Sequence, residues 1–322
     1  MTQTAVDFSP TLQVVTWLLL ALLSLVLFFR LLTRFFIKSD RYIGYDGLFI
    51  LFAFVFAVGE SVTEIIPPGA IYGRDIGSIS PTQLQSGIKD GYARDILFLL
   101  SLGFAKLSVT SGLMILSPRR PTQLVIKTTT LTIAVWTVSS VLIAALQCGA
   151  QGPWASKAKQ CIDIVAFWES VSIISLLLDI TLVAIPAFIV FPLHMSLKMR
   201  LVVICFYSAR LLCIVPTIFQ LIYTPRLADD NFIWSGFAFY LSMQLVQFTN
   251  ISTACIIYFW PFLRSLQTGL IFHNKDGLKL QYSLTKMRKL GSKDSGNSAL
   301  ALNQAARDRN DYVEITTEIS AA

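Results

Sequence analysis

Residues 164–190 read IVAFWESVSIISLLLDITLVAIPAFIV, and Glu169 and Asp179 are the only charged side chains among them. At about 1.5 Å per residue, a helix of this length reaches about 40 Å, more than the roughly 30 Å hydrocarbon core of a bilayer. Lipid offers the backbone no hydrogen-bond partners, so a block of this kind must be helical. Comparable blocks lie at 12–32, 46–66, 95–116, 129–147, 201–223 and 232–260. The expected fold class is therefore all-α, a seven-transmembrane-helix bundle over residues 1–262, with residues 263–322 as a basic, partly disordered tail. Turn chemistry punctuates the blocks at Pro67-Pro68-Gly69, Ser117-Pro118, Gly152-Pro153, Pro192 and Pro225.

Composition agrees. Of 322 residues, 54% are hydrophobic and only 14% charged, and the mean hydropathy is +0.64. A soluble domain carries about 25% charged residues, so a soluble globular protein is excluded. The segments after the first, third and fifth blocks, together with the tail, hold 18 of the 26 Lys and Arg residues. This bias puts the tail in the cytosol and the N-terminus outside. No basic residue precedes Arg30, so the first block lacks the basic start of a cleavable signal and is expected to stay as a helix.

The net charge of +7 needs no nucleic acid. Lys275, Lys279, Lys286, Arg288, Lys289 and Lys293 suit an anionic cytosolic leaflet, and a cytosolic signalling partner could use the same tail. Two histidines, His194 and His273, cannot assemble a metal cluster, and no cofactor is expected. Asp229-Asp230 has no second acidic group for a diphosphate, and no glycine-rich nucleotide loop is present. No internal repeat supports an alternating-access transporter.

Of the five cysteines, Cys205, Cys213 and Cys255 lie within apolar blocks and read as small filler. Cys148 and Cys161 share the outside loop between the fourth and fifth blocks, where an oxidising compartment permits a disulfide. Closing that loop of about 14 residues would contribute about 3 kcal/mol.

These residues bring a family into view. Cys148-Gly-Ala-Gln-Gly-Pro153-Trp154 followed by Cys161-Ile-Asp163 resembles the cysteine-tryptophan-cysteine loop of fungal rhodopsin-domain integral membrane proteins. Arg30 to Asp46 resembles their first basic loop and the acidic start of helix 2, and Lys106-Leu107-Ser108 resembles a motif of helix 3. Asp179 with Pro186, and Trp260-Pro261-Phe262-Leu263-Arg264, resemble the ends of helices 5 and 7. The likeness covers about residues 12–266. Two departures are that Gly47 stands where a second Asp is frequent, and Asn250 where a Glu is common. The resemblance implies a receptor-like architecture, of the satratoxin-cluster or plant-surface-sensing kind, in the plasma membrane or an endomembrane. It also implies a link to secondary-metabolite genes, such as those beside which some members are encoded.

Charges within the blocks are the candidate site. Each costs about 2.5–3.5 kcal/mol at mid-bilayer on insertion scales, so each needs a partner or a purpose. Lys106 and Arg210 fall near mid-depth, Asp179 nearer the cytosol, and Glu60, Glu64 and Glu169 in the outer third. Glu169, Ser172, Ser175 and Asp179 share an arc of about 120° on their helix. Gln244, Gln247 and Asn250 add polarity from the last one. Glu60, Glu169, Asp179, Lys106, Arg210 and Asn250 thus make a candidate ligand site in a polar interior open to the outside. The structural alternative is ion pairing, Lys106 with Asp179 and Arg210 with a carboxylate.

A retinal protein needs a lysine in its last helix, and residues 232–260 contain none. The reading preferred is a receptor-like sensor or accessory component that takes a small lipophilic ligand. The rival is a membrane cyclase or isomerase acting on a biosynthetic intermediate, with Glu60 or Glu169 as general acid and Trp168 and Tyr207 facing a cation.

Overall fold

The computed structural model describes residues 7–36, 45–67, 70–116, 120–147, 162–190, 205–229 and 231–257. Cys148, Cys161, Asp230 and the tail from 258 lie outside the described residues. The first five helices are α1 (Ser9–Phe36), α2 (Tyr45–Ile65), α3 (Pro81–Leu116), α4 (Arg120–Ala145) and α5 (Ile164–Val190). The sixth, α6, is the span Cys205–Ala228, and a single turn at Phe232–Ser235 precedes α7 (Phe237–Ile256). No strand occurs among the described residues.

Six of these helices, α1 to α6, are long and apolar enough to cross a bilayer. Their outer faces are apolar, with Trp17, Phe28, Leu131, Leu177, Phe188 and Ile222 among the exposed side chains. In water such a surface would aggregate; in a bilayer it is the lipid contact. The chain is a multi-pass membrane protein.

The seventh block differs. Thirteen of the 20 residues of α7 are buried, among them Ser242, Gln244, Gln247, Asn250, Ser252 and Thr253. Those polar residues interrupt α7 so that no stretch of span length is apolar enough to join the other six. It lies inside the bundle against α1, α3 and α6, where protein rather than lipid meets its polar groups.

Helix directions follow from contacts at both ends. Phe8, just before α1, stacks on Phe237 at 5.1 Å, and Arg30 near the far end of α1 donates to the Ala254 carbonyl at 2.9 Å. α1 and α7 therefore run parallel. α2 runs the other way, with Asp46 beside Arg30 at 3.3 Å and Glu64 beside Arg94 at 3.1 Å. One end of the bundle is closed by the chain before α1 and the 66–80 connection. Phe8 N–H donates to the Gly73 carbonyl, and Gly73 N–H to the Ile233 carbonyl. Gly73 has φ +94°, a left-handed conformation in which a Cβ would strike the Phe8–Ser9 backbone.

Several helix ends differ from the sequence reading. α3 starts 14 residues before the expected Asp95, and α4 nine before Thr129. Both extensions are polar, so hydropathy stops short of them. α6 continues past Pro225, winding as 3-10 helix over Thr224–Ala228. It also winds as 3-10 over Ala209–Cys213, just before the buried Pro216. Proline has no N–H and its ring crowds the carbonyl four residues back, so the turn before it tightens. Arg210 sits in that tightened turn.

Candidate functional site

Polar side chains in the bundle form four layers, and α7 reaches each of them. At the closed end, Arg94 of α3 bonds Glu64 Oε2 at 3.1 Å and Asp95 Oδ1 at 3.1 Å. Its guanidinium lies 4.4 Å from the Tyr72 ring centroid and 4.2 Å from that of Tyr240 on α7. Arginine suits the place because its flat, weakly hydrated cation stacks on rings while its edge forks to carboxylates. Tyr72, in the 66–80 connection, donates to the Gly87 carbonyl at 3.2 Å. Burial pushes its hydroxyl up to about 12, against the opposing pull of Arg94.

The second layer centres on Glu60. Its side chain is fully buried and accepts Gln244 Nε2 on Oε1 and Gln247 Nε2 on Oε2, each at 2.8 Å. Ser101 Oγ in turn donates to Gln247 Oε1 at 2.7 Å. Among the described residues no Lys or Arg pairs with Glu60. Two amides aimed at one carboxyl are what hold it in an apolar interior.

One helical turn further along α7 is the third layer. Asp179 of α5 meets Lys106 of α3 at 2.6 Å and Arg210 of α6 at 2.8 Å. Asn250 Oδ1 accepts from Arg210 Nη2 at 3.2 Å and from Lys106 Nζ at 3.4 Å, while its Nδ2 bonds the Val246 carbonyl. Lys106 also donates to the Ser175 carbonyl at 3.3 Å. The fourth layer is Arg30, bonded to Asp46, to Ser108 Oγ at 3.4 Å and to the Ala254 carbonyl.

Lys106, Asp179, Arg210 and Asn250 are thus brought together as the sequence suggested, with one correction. The two cations do not take separate carboxylates but share Asp179. Glu60 stands apart, one layer away, and the interior is closed at its end by Tyr72, Tyr240 and Arg94 rather than open there.

Glu169 does not join them. It is half-buried and makes no hydrogen bond or ion pair among the described residues. The inward stripe of α5 is Trp168, Ser172, Ser175 and Asp179, all at most 2% exposed. Glu169, about 100° round from Trp168, lies at its edge. Trp168 packs on Phe98 at 5.9 Å and on Phe239 at 5.5 Å, so it belongs to the core, as does the 5% exposed Tyr207.

The sequence reading missed Arg94 and Arg30 as interior charges, counting them with opposite loops. Burial at helical spacing gives the signal for Arg94. Phe98, Ser101, Ala105 and Ser108 form the buried face of α3, and Arg94 continues it one turn back.

No curated protein and no solved structure matches the chain. The family model described as the fungal rhodopsin domain matches residues 29–265, which takes in α2 to α7 and the last turns of α1. That stretch holds all four polar layers. The chain belongs to the fungal rhodopsin domain family.

Proposed function

We propose that the chain is a receptor-like sensor crossing the membrane seven times, N-terminus outside and tail in the cytosol. The observation that carries this reading is the course of α7. It touches, in order, Arg94 through Tyr240, Glu60 through Gln244 and Gln247, Lys106 and Arg210 through Asn250, and Arg30 through the Ala254 carbonyl. A small turn or slide of α7 alters every polar layer at once, coupling one membrane face to the other. Its parallel run beside α1 supports an odd number of crossings, and hence termini on opposite sides.

The cyclase alternative asks Glu60 to protonate a substrate. Both oxygens of Glu60 are already held by amides within a closed interior, and Glu169 points elsewhere, which favours the sensor. Under the sensor reading, Glu60, Lys106, Asp179, Arg210 and Asn250 are the groups a stimulus would rearrange. The Cys148–Cys161 bridge would tie α4 to α5 outside, and the basic tail would lie on the inner leaflet near a signalling partner. The role beside secondary-metabolite genes that the family resemblance implies would then be regulatory.

The test is mass spectrometry of host extracts with the gene intact, deleted, or carrying Glu60→Gln with Glu169→Gln. Related metabolites rising or falling together on deletion support the sensor. One lost product with an accumulated isomeric precursor, in both the deletion and the double variant, overturns it in favour of a cyclase. Unchanged extracts refute the metabolic link and confine the sensor to other outputs, read as a transcriptional response lost on deletion.

A further inference from the structure

The Lys106–Asp179–Arg210 layer is short of negative charge. Two fully buried cations share one carboxylate, and Asn250 contributes only a carbonyl dipole. Hydrogen-bond donors are also left over. Nε and Nη1 of Arg210 and the hydroxyls of Ser172 and Ser175 have no partner among the described residues.

Ser172 and Ser175, like Ser252 of α7, depart from the usual pattern of helical hydroxyls. A helical hydroxyl normally bonds the carbonyl one turn back, as Ser170, Thr181, Thr217 and Thr253 do here. Ser172 and Ser175, each 2% exposed, do not. They lie on the face of α5 that ends in Asp179, below Trp168, whose ring closes the stripe against Phe98 and Phe239. Along α5 the two unpaired hydroxyls therefore lie between Trp168 on one side and the Lys106–Asp179–Arg210 layer on the other. Buried polar groups are nearly always satisfied, so such a set signals a bound species. Water would satisfy the hydroxyls but leave the surplus charge, whereas an anion does both.

We propose that this layer binds one small monovalent anion of the halide class. Arg210 Nε and Nη1 and the hydroxyls of Ser172 and Ser175 donate to it, and its charge balances the second cation. This site does not depend on the sensor reading.

The test uses the full chain, prepared throughout in sodium gluconate and then titrated with sodium chloride or bromide at constant sodium. The expected result is a saturable rise in melting temperature, of about 4 °C once the anion is well above its dissociation constant. Iodide should give a saturable loss of tryptophan fluorescence that is absent in Trp168→Phe. The double variant Ser172→Ala with Ser175→Ala should need several-fold more chloride. Asn250→Asp supplies the missing carboxylate within the chain, so it should melt higher in gluconate and lose the chloride response. Equal melting in chloride and gluconate overturns the proposal and assigns the donors to water. A response that rises without saturating, or persists in Asn250→Asp, overturns it as a general salt effect. The wild-type titration and the iodide measurement stand even if a variant fails to fold.

Discussion

Replacing Asp179 by Asn keeps the shape of the side chain and removes the one charge that Lys106 and Arg210 share. Both cations are fully buried, so neither can turn to water when that charge goes. Removing one partner of a buried pair costs about 3–5 kcal/mol, because the survivor is left uncompensated. Here two cations survive, and they repel each other. At about 2–4 °C per kcal/mol, the melting temperature should fall by about 10 °C. Lys106→Met is the control: Asp179 keeps Arg210 at 2.8 Å, and the layer becomes neutral. It should cost about 1 kcal/mol or less, since an apolar replacement of similar length relieves the charge surplus. Thermal unfolding of both variants in detergent and sodium gluconate, with no halide present to share the charge, followed by tryptophan fluorescence, gives the order. If Asp179→Asn melts within about 2 °C of the parent, or Lys106→Met melts as low as Asp179→Asn, Asp179 is not the neutralising centre.

Three further outcomes follow from the other layers. Glu60→Gln should be tolerated within about 1 kcal/mol, because the amides of Gln244 and Gln247 can reorient to meet it. Glu60→Leu leaves two buried amides unpaired and should cost about 2–4 kcal/mol in the same melting assay. Arg94→Lys keeps the charge but loses the stacking on Tyr72 and Tyr240 and the fork to Glu64 and Asp95. It should cost about 2 kcal/mol, and a loss no larger than that of an exposed lysine swap such as Arg74→Lys would contradict the stacking role. Tyr72 titrates later folded than unfolded, so its contribution is complete below pH 10 and is lost as pH rises towards 12. Melting temperature should drop over that window, and Tyr72→Phe should flatten part of the drop.

Six of the helices were legible because each is a block of apolar residues, and α5 came out with the ends it has in the structure. The Lys106–Asp179 pair was legible too, since opposite charges near one depth in lipid have few other partners. What stayed hidden lies where hydropathy loses its grip. Arg94 sits one residue before the apolar block of α3, in a polar extension that α2 and the 66–80 connection bury, so hydropathy placed it in a loop. Arg30 reads as the first charge of a basic loop until Asp46 and the Ala254 carbonyl are seen to receive it. Glu169 was misplaced by a rotation: an arc of about 120° admits it beside Ser172, Ser175 and Asp179, but its neighbour Trp168 takes the inward position. The larger ring fills the gap between Phe98 and Phe239, leaving the carboxylate at the edge.

The one long helix left out of the six apolar enough to span is therefore the most informative. A helix facing lipid is selected for apolar residues on its outer surface, which is why α1, α2, α4, α5 and α6 announce themselves. α3, two-thirds buried, does so through the apolar residues it packs inside the bundle. A helix enclosed by other helices can carry Gln244, Gln247 and Asn250, because Glu60, Ser101, Lys106 and Arg210 meet them. Those polar residues are what lower its hydropathy and what make it central. α7 meets the same two ends of the bundle as α1, through Phe237 at one and Ala254 at the other. On the seven-span reading, its polarity reflects the buried charges of Glu60, Lys106 and Arg210 that it meets, and is not a sign that it stays outside the membrane. Labelling single cysteines placed beyond the two ends of α7 with a membrane-impermeant thiol reagent decides it, in a background with the native cysteines removed. Modification from opposite faces is the expected pattern, and modification of both from one face would remove α7 from the set of spanning helices.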